Sequence, residues 1–210
     1  MQMQQTRPRL DRDARREAIL DVAQEVFLKE GFAAASMSTI AARLGGSKGT
    51  LYNYFKSKDD LFSAYVARRC LWQQEEMFAV KPDGETPLLA LQRLGRAYLL
   101  NVMADENLRN FLVIASEAER SPEIGRSFYE TGPKRGTERL AELLTAMDRD
   151  GVIDVEGEPI IAARDFFGIL SNYYFKARLC NATAEMTPQQ MDDEAARAAR
   201  VFLRAYGRRN

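Results

Sequence analysis

The chain of 210 residues is predicted to be entirely α-helical. Its apolar residues recur every three or four positions along most of the sequence, which is the spacing of one face of an α-helix. Capping residues precede these stretches, and a proline follows the cap in Thr86–Pro87 and Thr187–Pro188, as it does at many helix starts. No segment has a convincing strand pattern. We therefore expect an all-α fold, with an N-terminal three-helix helix-turn-helix domain followed by a larger helical domain.

Residues 36–58, SMSTIAARLGGSKGTLYNYFKSK, predict two short helices joined by a tight turn. Ser36 can cap the first helix, and Gly45–Gly46 can end it because glycine tolerates a left-handed backbone. Ser47 can cap the second helix. The apolar residues that would bury the two helices against each other are Ile40, Leu44, Leu51 and Phe55. This arrangement is typical of a helix-turn-helix, whose second helix enters the major groove of DNA.

The outward positions of the second short helix carry groups that suit nucleic acid. Lys48 offers a cation, Thr50 a hydroxyl, Asn53 an amide and Tyr54 a phenol, and such groups bind phosphates or base edges. Gly49 allows the backbone to approach a neighbouring surface closely. Helical hairpins with polar exposed residues are also common without a DNA-binding role, so the hairpin needs support from its context.

The charge distribution supports an interaction with phosphate. The chain holds 30 basic and 30 acidic residues, but residues 1–58 contain ten Lys and Arg against six Asp and Glu. The N-terminal part therefore carries a net charge of +4 and the remainder −4, which favours contact with DNA at the N-terminal end. Residues 1–10 are predicted to be a flexible arm. Its Arg7 and Arg9 either reach a minor groove or remain solvated.

Two further helices frame the hairpin. An apolar stripe that includes Ile19 and Phe27 predicts a helix before it, closed by Gly31. Ser57 and Asp60 form a candidate capping box for a longer helix over 57–80. We therefore predict a DNA-binding domain over residues 1–58 and a second helical domain over 59–210.

The run SKGTLYNYFKSKDDL, within residues 13–62, closely resembles the DNA-binding domain of TetR-family transcriptional regulators. The resemblance implies a homodimer that binds a pseudo-palindromic operator in double-stranded DNA. It also implies a variable C-terminal domain that usually binds a small-molecule effector. Gly46 departs from the family pattern, in which a small apolar residue such as Val is more frequent. The residues that the resemblance places on the recognition helix at DNA are Ser47, Lys48, Gly49, Thr50, Tyr52, Asn53 and Tyr54, and those at flanking phosphates are Ser36, Ser38 and Lys58.

The composition argues against catalysis. The chain has no histidine, which removes the commonest general base and metal ligand. Cys70 and Cys180 are far apart and lack the spacing of a metal site. We expect no enzyme activity, no cofactor and no metal. Two free cysteines are typical of a reduced, cytoplasmic protein, although a redox role for either one stays open.

Membrane attachment is not expected either. No run of about 18 apolar residues is present, and the polar segment Met1–Arg9 lacks the apolar stretch of a secretory signal.

The second domain is predicted to contain a ligand pocket and a dimer interface. Helices 86–104, 107–119 and 122–149 would surround the pocket, with a break at Gly132–Pro133. The candidate pocket residues are Trp72, Tyr98, Met103, Phe111, Phe128, Tyr129 and Phe167, although aromatic stripes of this kind also form ordinary cores. Helices 159–180 and 188–206 of one subunit would pack against the same two helices of its partner and form a four-helix bundle at the dimer interface. The candidate interface residues are Phe166, Leu170, Tyr173, Tyr174, Ala195, Ala198 and Phe202.

These observations favour a homodimeric DNA-binding repressor that a small hydrophobic ligand releases from its operator. Three alternatives remain: a helical protein that binds or sequesters a ligand without reading DNA, an activator of the same family, and a helical enzyme. The intact set of polar residues on the second short helix argues against the first alternative. The absence of histidine and of metal motifs disfavours the third.

Overall fold

The computed structural model describes residues 12–79, 84–155, 157–183 and 185–208. Over these ranges the secondary structure is helical, with no strand apart from one isolated bridge between Ile153 and Gly207. The predicted all-α fold is confirmed. The predicted N-terminal arm, with Arg7 and Arg9, lies outside the described residues.

Ten α-helices follow one another along the described chain, with one π-helical turn between the seventh and the eighth. Their bounds are α1 Arg12–Ala34, α2 Met37–Arg43, α3 Lys48–Tyr52, α4 Lys58–Phe78, α5 Pro87–Val102, α6 Asp105–Glu117, α7 Pro122–Tyr129, the π-turn Glu130–Lys134, α8 Arg135–Arg149, α9 Pro159–Leu179 and α10 Pro188–Tyr206.

The chain divides into two compact units, Met1–Val66 and Ala67–Asn210, which we call unit 1 and unit 2. The division falls inside α4. The sequence predicts an earlier end of the DNA-binding domain, at Lys58, which is the first residue of the same helix.

Unit 1 is held together by an aromatic core. The rings of Phe27 and Phe62 meet edge to face with their centroids 5.1 Å apart, and Phe32 lies 4.7 Å from Phe62. Such ring pairs add stability beyond the burial of their area. Gly31 has φ +78°, so α1 kinks there, and its last turn continues to Ala34. This kink places Phe32 in the core, where it is 4% exposed.

Unit 2 is built around a core shared by α5, α8, α9 and α10. A Cβ on Gly95 of α5 would lie 3.1 Å from Leu170 Cδ2 and 3.5 Å from Ala195 Cβ. The small residues of α10 therefore allow a close approach to α5 of the same chain. The sequence predicts the close approach, but it assigns it to helices of the dimer bundle.

The link between α7 and α8 differs from the predicted break at Gly132–Pro133. The chain instead continues through the π-turn, with Pro133 inside it. Proline has no N–H to donate, so a helical carbonyl loses its usual partner there. The buried side chain of Gln74, on α4, also binds this turn, because its Nε2 donates to the carbonyl oxygens of Thr131 at 2.7 Å and Gly132 at 3.1 Å. These are not the carbonyl, one turn before Pro133, that the proline leaves without its donor.

Candidate nucleic-acid interface

The predicted hairpin in unit 1 has the expected local geometry. Ser36 Oγ accepts from the backbone N–H of Thr39 at 3.1 Å, and Ser47 Oγ accepts from that of Thr50 at 3.1 Å. Gly45 adopts φ +68° in the turn. Both N-caps and the glycine turn are therefore confirmed as the features that begin and end these short helices.

The inner face of the hairpin is apolar and its outer face is polar. Ile40, Leu51 and Phe55 are buried, whereas Leu44 is only half-buried. Of the predicted DNA-contacting residues, four are half-buried: Ser36, Thr50, Tyr54 and Lys58. Those that are exposed are Ser38, Ser47, Lys48, Gly49, Tyr52 and Asn53. Most of the predicted set lies on α3 or at its two ends. We name the surface that these residues form the α3 face; they are Ser47, Lys48, Gly49, Thr50, Tyr52, Asn53 and Tyr54.

Two local features fix the positions of side chains on the α3 face. The Lys48 ammonium lies 5.8 Å from the centroid of the Tyr52 ring, within the range of a cation–π contact. Asn53 is the C-cap residue of α3, and its backbone N–H donates to Gly49 O at 3.2 Å. Its exposed side-chain amide is thus presented at the end of the helix, where both a donor and an acceptor are available to a base edge.

Lys58 occupies a different environment from the rest of the predicted set. Its Nζ donates to Phe32 O at 2.7 Å and to Ala33 O at 3.3 Å, and it lies 4.3 Å from the centroid of the Phe32 ring. The ammonium therefore neutralises the carbonyl end of α1. A simultaneous contact with a DNA phosphate would have to compete with these partners.

Arginines of α1 lie beside the hairpin, although they stand outside the sequence motif. The guanidinium of Arg15 approaches Gly46 so closely that a Cβ there would lie 3.2 Å from Arg15 Nη2. The Arg16 guanidinium lies 5.3 Å from the centroid of the Phe55 ring. These contacts add positive charge next to the turn. The cluster Arg12-Asp13-Ala14-Arg15-Arg16 at the start of α1 is the sequence signal that could have identified them.

The candidate pocket residues of unit 2 fall into separate groups. The ring of Tyr98 stacks on that of Phe167 with the centroids 4.4 Å apart. Burial raises the pKa of the Tyr98 phenol, and a hydrogen bond with the Ser171 side chain partly offsets this rise. Phe111 contacts Phe128 edge to face at 6.0 Å. Met103 is buried in the core. The remaining two candidates, Trp72 and Tyr129, are 55% and 57% exposed.

The two cysteines have contrasting environments. Burial raises the pKa of the Cys70 thiol from 9.0 to about 11, partly offset by a hydrogen bond with Thr131 and by the charge of Arg69. Cys180 is exposed. Because the thiolate is the reactive form, the raised pKa disfavours reaction at Cys70.

The candidate interface residues lie mostly inside unit 2. Tyr173 is 76% exposed and Tyr174 is half-buried. The others are packed within the core of the same chain, with exposures of 1% or less: Phe166, Leu170, Ala195, Ala198 and Phe202. A partner subunit cannot reach such side chains without unfolding the helices, so an interface on α9 and α10 would have to use their outer faces.

No helix among the described residues is long and apolar enough to cross a membrane. In the same part of the chain, no cluster of three or more Cys, Asp or Glu side chains could hold a metal ion.

The fold and the α3 face define a class of proteins, the helix-turn-helix regulators that bind DNA. Residues 19–65 match the family described as bacterial regulatory proteins, tetR family. Residues 89–208 match the AefR-like transcriptional repressor, C-terminal domain. The chain belongs to the TetR family of DNA-binding transcriptional regulators, as its sequence indicated.

Curated relatives match only part of the chain. The chain is 48% identical over 60 residues to the transcriptional activator FasR of Mycolicibacterium smegmatis, covering 29% of this chain and 27% of FasR. It is 32% identical over 117 residues to the transcriptional repressor BepR of Brucella suis, covering 53% of this chain and 56% of BepR. The aligned part thus spans little more than half of these relatives at most.

Solved structures match along nearly the whole chain. A TetR-family transcriptional regulator from Mesorhizobium loti superposes with a TM-score of 0.87 at 26% identity, covering 95% of this chain and all of the other. The flavonoid-responsive regulator FrrA superposes with a TM-score of 0.78 at 28% identity, covering 93% of this chain and 98% of FrrA.

Proposed function

We propose that this protein is a homodimeric repressor that binds a pseudo-palindromic operator through the α3 face and leaves it when a small hydrophobic effector binds unit 2. The observation that carries the proposal is the accessible set of Lys48, Thr50 and Asn53 on a correctly capped hairpin. A role of this kind would place the protein in the cytoplasm, together with its DNA.

Within the α3 face, the residues divide into two roles. Lys48 offers a point charge that suits a phosphate, and a phosphate contact positions the protein without reading sequence. Asn53 offers the bidentate amide that distinguishes adenine in the major groove. The other polar residues of the predicted set, Ser36, Ser38, Ser47, Thr50, Tyr52 and Tyr54, would support these two contacts.

Dimerisation is proposed on the outer faces of α9 and α10. Ile161 and Tyr173 of α9 are 49% and 76% exposed, and Val201 of α10 is 39% exposed. A Cβ on Gly168, between the two α9 residues, would meet no atom within 4 Å, so a partner helix could approach closely there. The resulting dimer must present its two α3 helices about 34–36 Å apart to reach successive major grooves.

An effector role for unit 2 is supported by its buried aromatic and methionine residues, which suit an adaptable apolar ligand. The similarity to FrrA, which is described as flavonoid-responsive, supports a small-molecule effector as well. Release from DNA requires the effector to bind the DNA-free form more tightly, because a ligand with equal affinity for both forms shifts nothing.

Repression is favoured over activation by the C-terminal match to an AefR-like repressor and by the similarity to BepR. The similarity to the activator FasR keeps activation as a second candidate. Its match is confined to 60 residues, and the sign of regulation depends on where the operator lies relative to a promoter.

Selection of bound sequences from a random duplex pool tests the proposal. The purified full chain should enrich an inverted repeat whose half-sites are one helical turn apart. Enrichment of a single half-site would argue against the dimer. Weak, salt-sensitive binding without enrichment would instead support a ligand-binding protein that does not read DNA.

A further inference from the structure

The side chain of Gln74 is an unusual buried group in unit 2. It is 4% exposed, and its Nε2 is used fully by the two carbonyl oxygens of the π-turn. Its Oε1 is buried and accepts no hydrogen bond from any described residue. A buried acceptor without a donor is costly, and native structures rarely leave one unless a ligand or water satisfies it.

Unfilled space adjoins this acceptor. Gly136 of α8 is buried, yet a Cβ built on it would meet only Gln74 Nε2, at 4.0 Å. Protein interiors are close-packed, and this single contact at the outer end of the van der Waals range indicates a gap beside the Gln74 amide, which we call the void. The π-turn lies next to the void in the chain, and single π-helical turns occur frequently at functional sites.

The surroundings of the amide include a thiol and aromatic rings. A Cβ on Gly132, whose carbonyl Gln74 binds, would lie 3.2 Å from Cys70 Sγ and 3.6 Å from Phe128 Cε2. Phe128 in turn contacts Phe111, and Phe111 contacts Phe175 at 5.2 Å. The neighbouring cation, Arg69, is already paired with Glu106 at 2.8 Å.

We propose that Gln74 Oε1 is the polar anchor of the effector site, and that it accepts a hydrogen bond from the hydroxyl of a neutral aromatic alcohol in the void beside Gly136. A carboxylate ligand would place its own acceptor oxygens against the acceptor Oε1, and the nearby Arg69 is already paired with Glu106. A purely apolar ligand would leave Oε1 unsatisfied. This inference rests on the proposed effector role of unit 2 and names the class of ligand.

The test is calorimetry of the DNA-free full chain with three probes of one shape: 1-naphthol, naphthalene and 1-naphthoate. The wild-type protein should bind 1-naphthol about tenfold more tightly than either of the others, which is the range expected for satisfying one buried acceptor. Equal binding of naphthalene, tighter binding of 1-naphthoate, or no binding of any probe would overturn the proposal.

Two variants locate the site. Gln74→Leu should abolish the preference for 1-naphthol, whereas Gln189→Leu, the same change at an exposed position of α10, should preserve it. Because Gln74→Leu also removes the donor to the π-turn, a second variant, Gly136→Leu, fills the void and keeps the Gln74 amide in place. It should prevent binding of all three probes. If Gln74→Leu or Gly136→Leu still binds 1-naphthol more tightly than the other two probes, the anchor lies elsewhere.

Operator release is measured separately, with 1-naphthol added to the protein bound to its selected duplex. Binding of 1-naphthol at Gln74 without release would contradict the effector role in the proposed function and leave the site assignment intact. Loss of the preference in the calorimetry would contradict the site assignment, whatever the DNA measurement shows.

Discussion

Replacing Lys58 with methionine should loosen the end of α1 without removing a DNA contact. Methionine keeps an apolar stem beside the Phe32 ring but removes the ammonium and its bonds to Phe32 O and Ala33 O. A hydrogen bond from a charged donor contributes about 1.5–3 kcal/mol, and the second, longer bond is exposed. We expect a loss of about 2 kcal/mol, which corresponds to about a 30-fold faster local opening.

Hydrogen exchange of residues 12–34, followed by mass spectrometry, measures this opening directly. Lys48→Met serves as the control, because Lys48 is exposed and its ammonium contacts only the Tyr52 ring among the interactions described. The control should leave exchange in α1 unchanged and reduce the salt dependence of DNA binding by about one phosphate contact. Unchanged exchange in Lys58→Met, together with a reduced salt dependence, would refute the reasoning and place Lys58 on a phosphate.

Three other changes follow from the described contacts. Ser47→Ala removes the acceptor for Thr50 N–H and should cost about 1 kcal/mol in thermal unfolding of unit 1; no loss would mean that water replaces the cap. Gly95→Val should destabilise unit 2 by about 1–3 kcal/mol, because even a Cβ is crowded there, and a stabilised variant would contradict this packing. A thiol reagent should label Cys180 rapidly and Cys70 only on unfolding. The pKa of Cys70 is raised from 9.0 to about 11 in the folded protein, so the thiol ionises at lower pH in the unfolded chain. The free energy of unfolding should therefore fall between about pH 9 and pH 11. The variant Cys70→Ala should not show this fall.

The features that the sequence predicts well are local ones. The caps at Ser36, Ser47, Thr86 and Thr187 are all present, and the last forms a complete capping box with Gln190. Each depends on residues within three positions of one another, so a short stretch of sequence contains the whole interaction.

The features that it does not predict depend on distant partners. The alanines of α10 indicate a close helix approach, but the sequence does not say that Gly95 of α5 lies opposite them. The same holds for Lys58, whose carbonyl partners lie 25 and 26 positions away, and for Gln74, whose partners lie 57 and 58 positions away. A proline inside a helix usually indicates a break, whereas the chain continues through the π-turn, and the sequence does not show that the distant Gln74 amide binds two of its carbonyl oxygens.

The residue types of the pocket and interface predictions were informative, but their assignment was ambiguous. An apolar residue at helical spacing can face the core, a ligand or a partner subunit, and the pattern is the same in all three cases. Phe166 and Phe202 pack against each other at 5.4 Å inside unit 2, whereas Tyr173 of the same set is exposed. Only the packing of α9 against α8 and α10 separates these possibilities.

A titration of the selected duplex with three variants would decide whether the α3 face reads DNA. Lys48→Ala and Lys134→Ala each remove one exposed positive charge, the first from α3 and the second from the π-turn of unit 2. Asn53→Ala removes the candidate base-reading amide. We predict weaker binding to all sequences for Lys48→Ala, lost discrimination at one base pair for Asn53→Ala, and wild-type binding for Lys134→Ala. Wild-type affinity and base preference in both α3 variants would contradict the proposed interface.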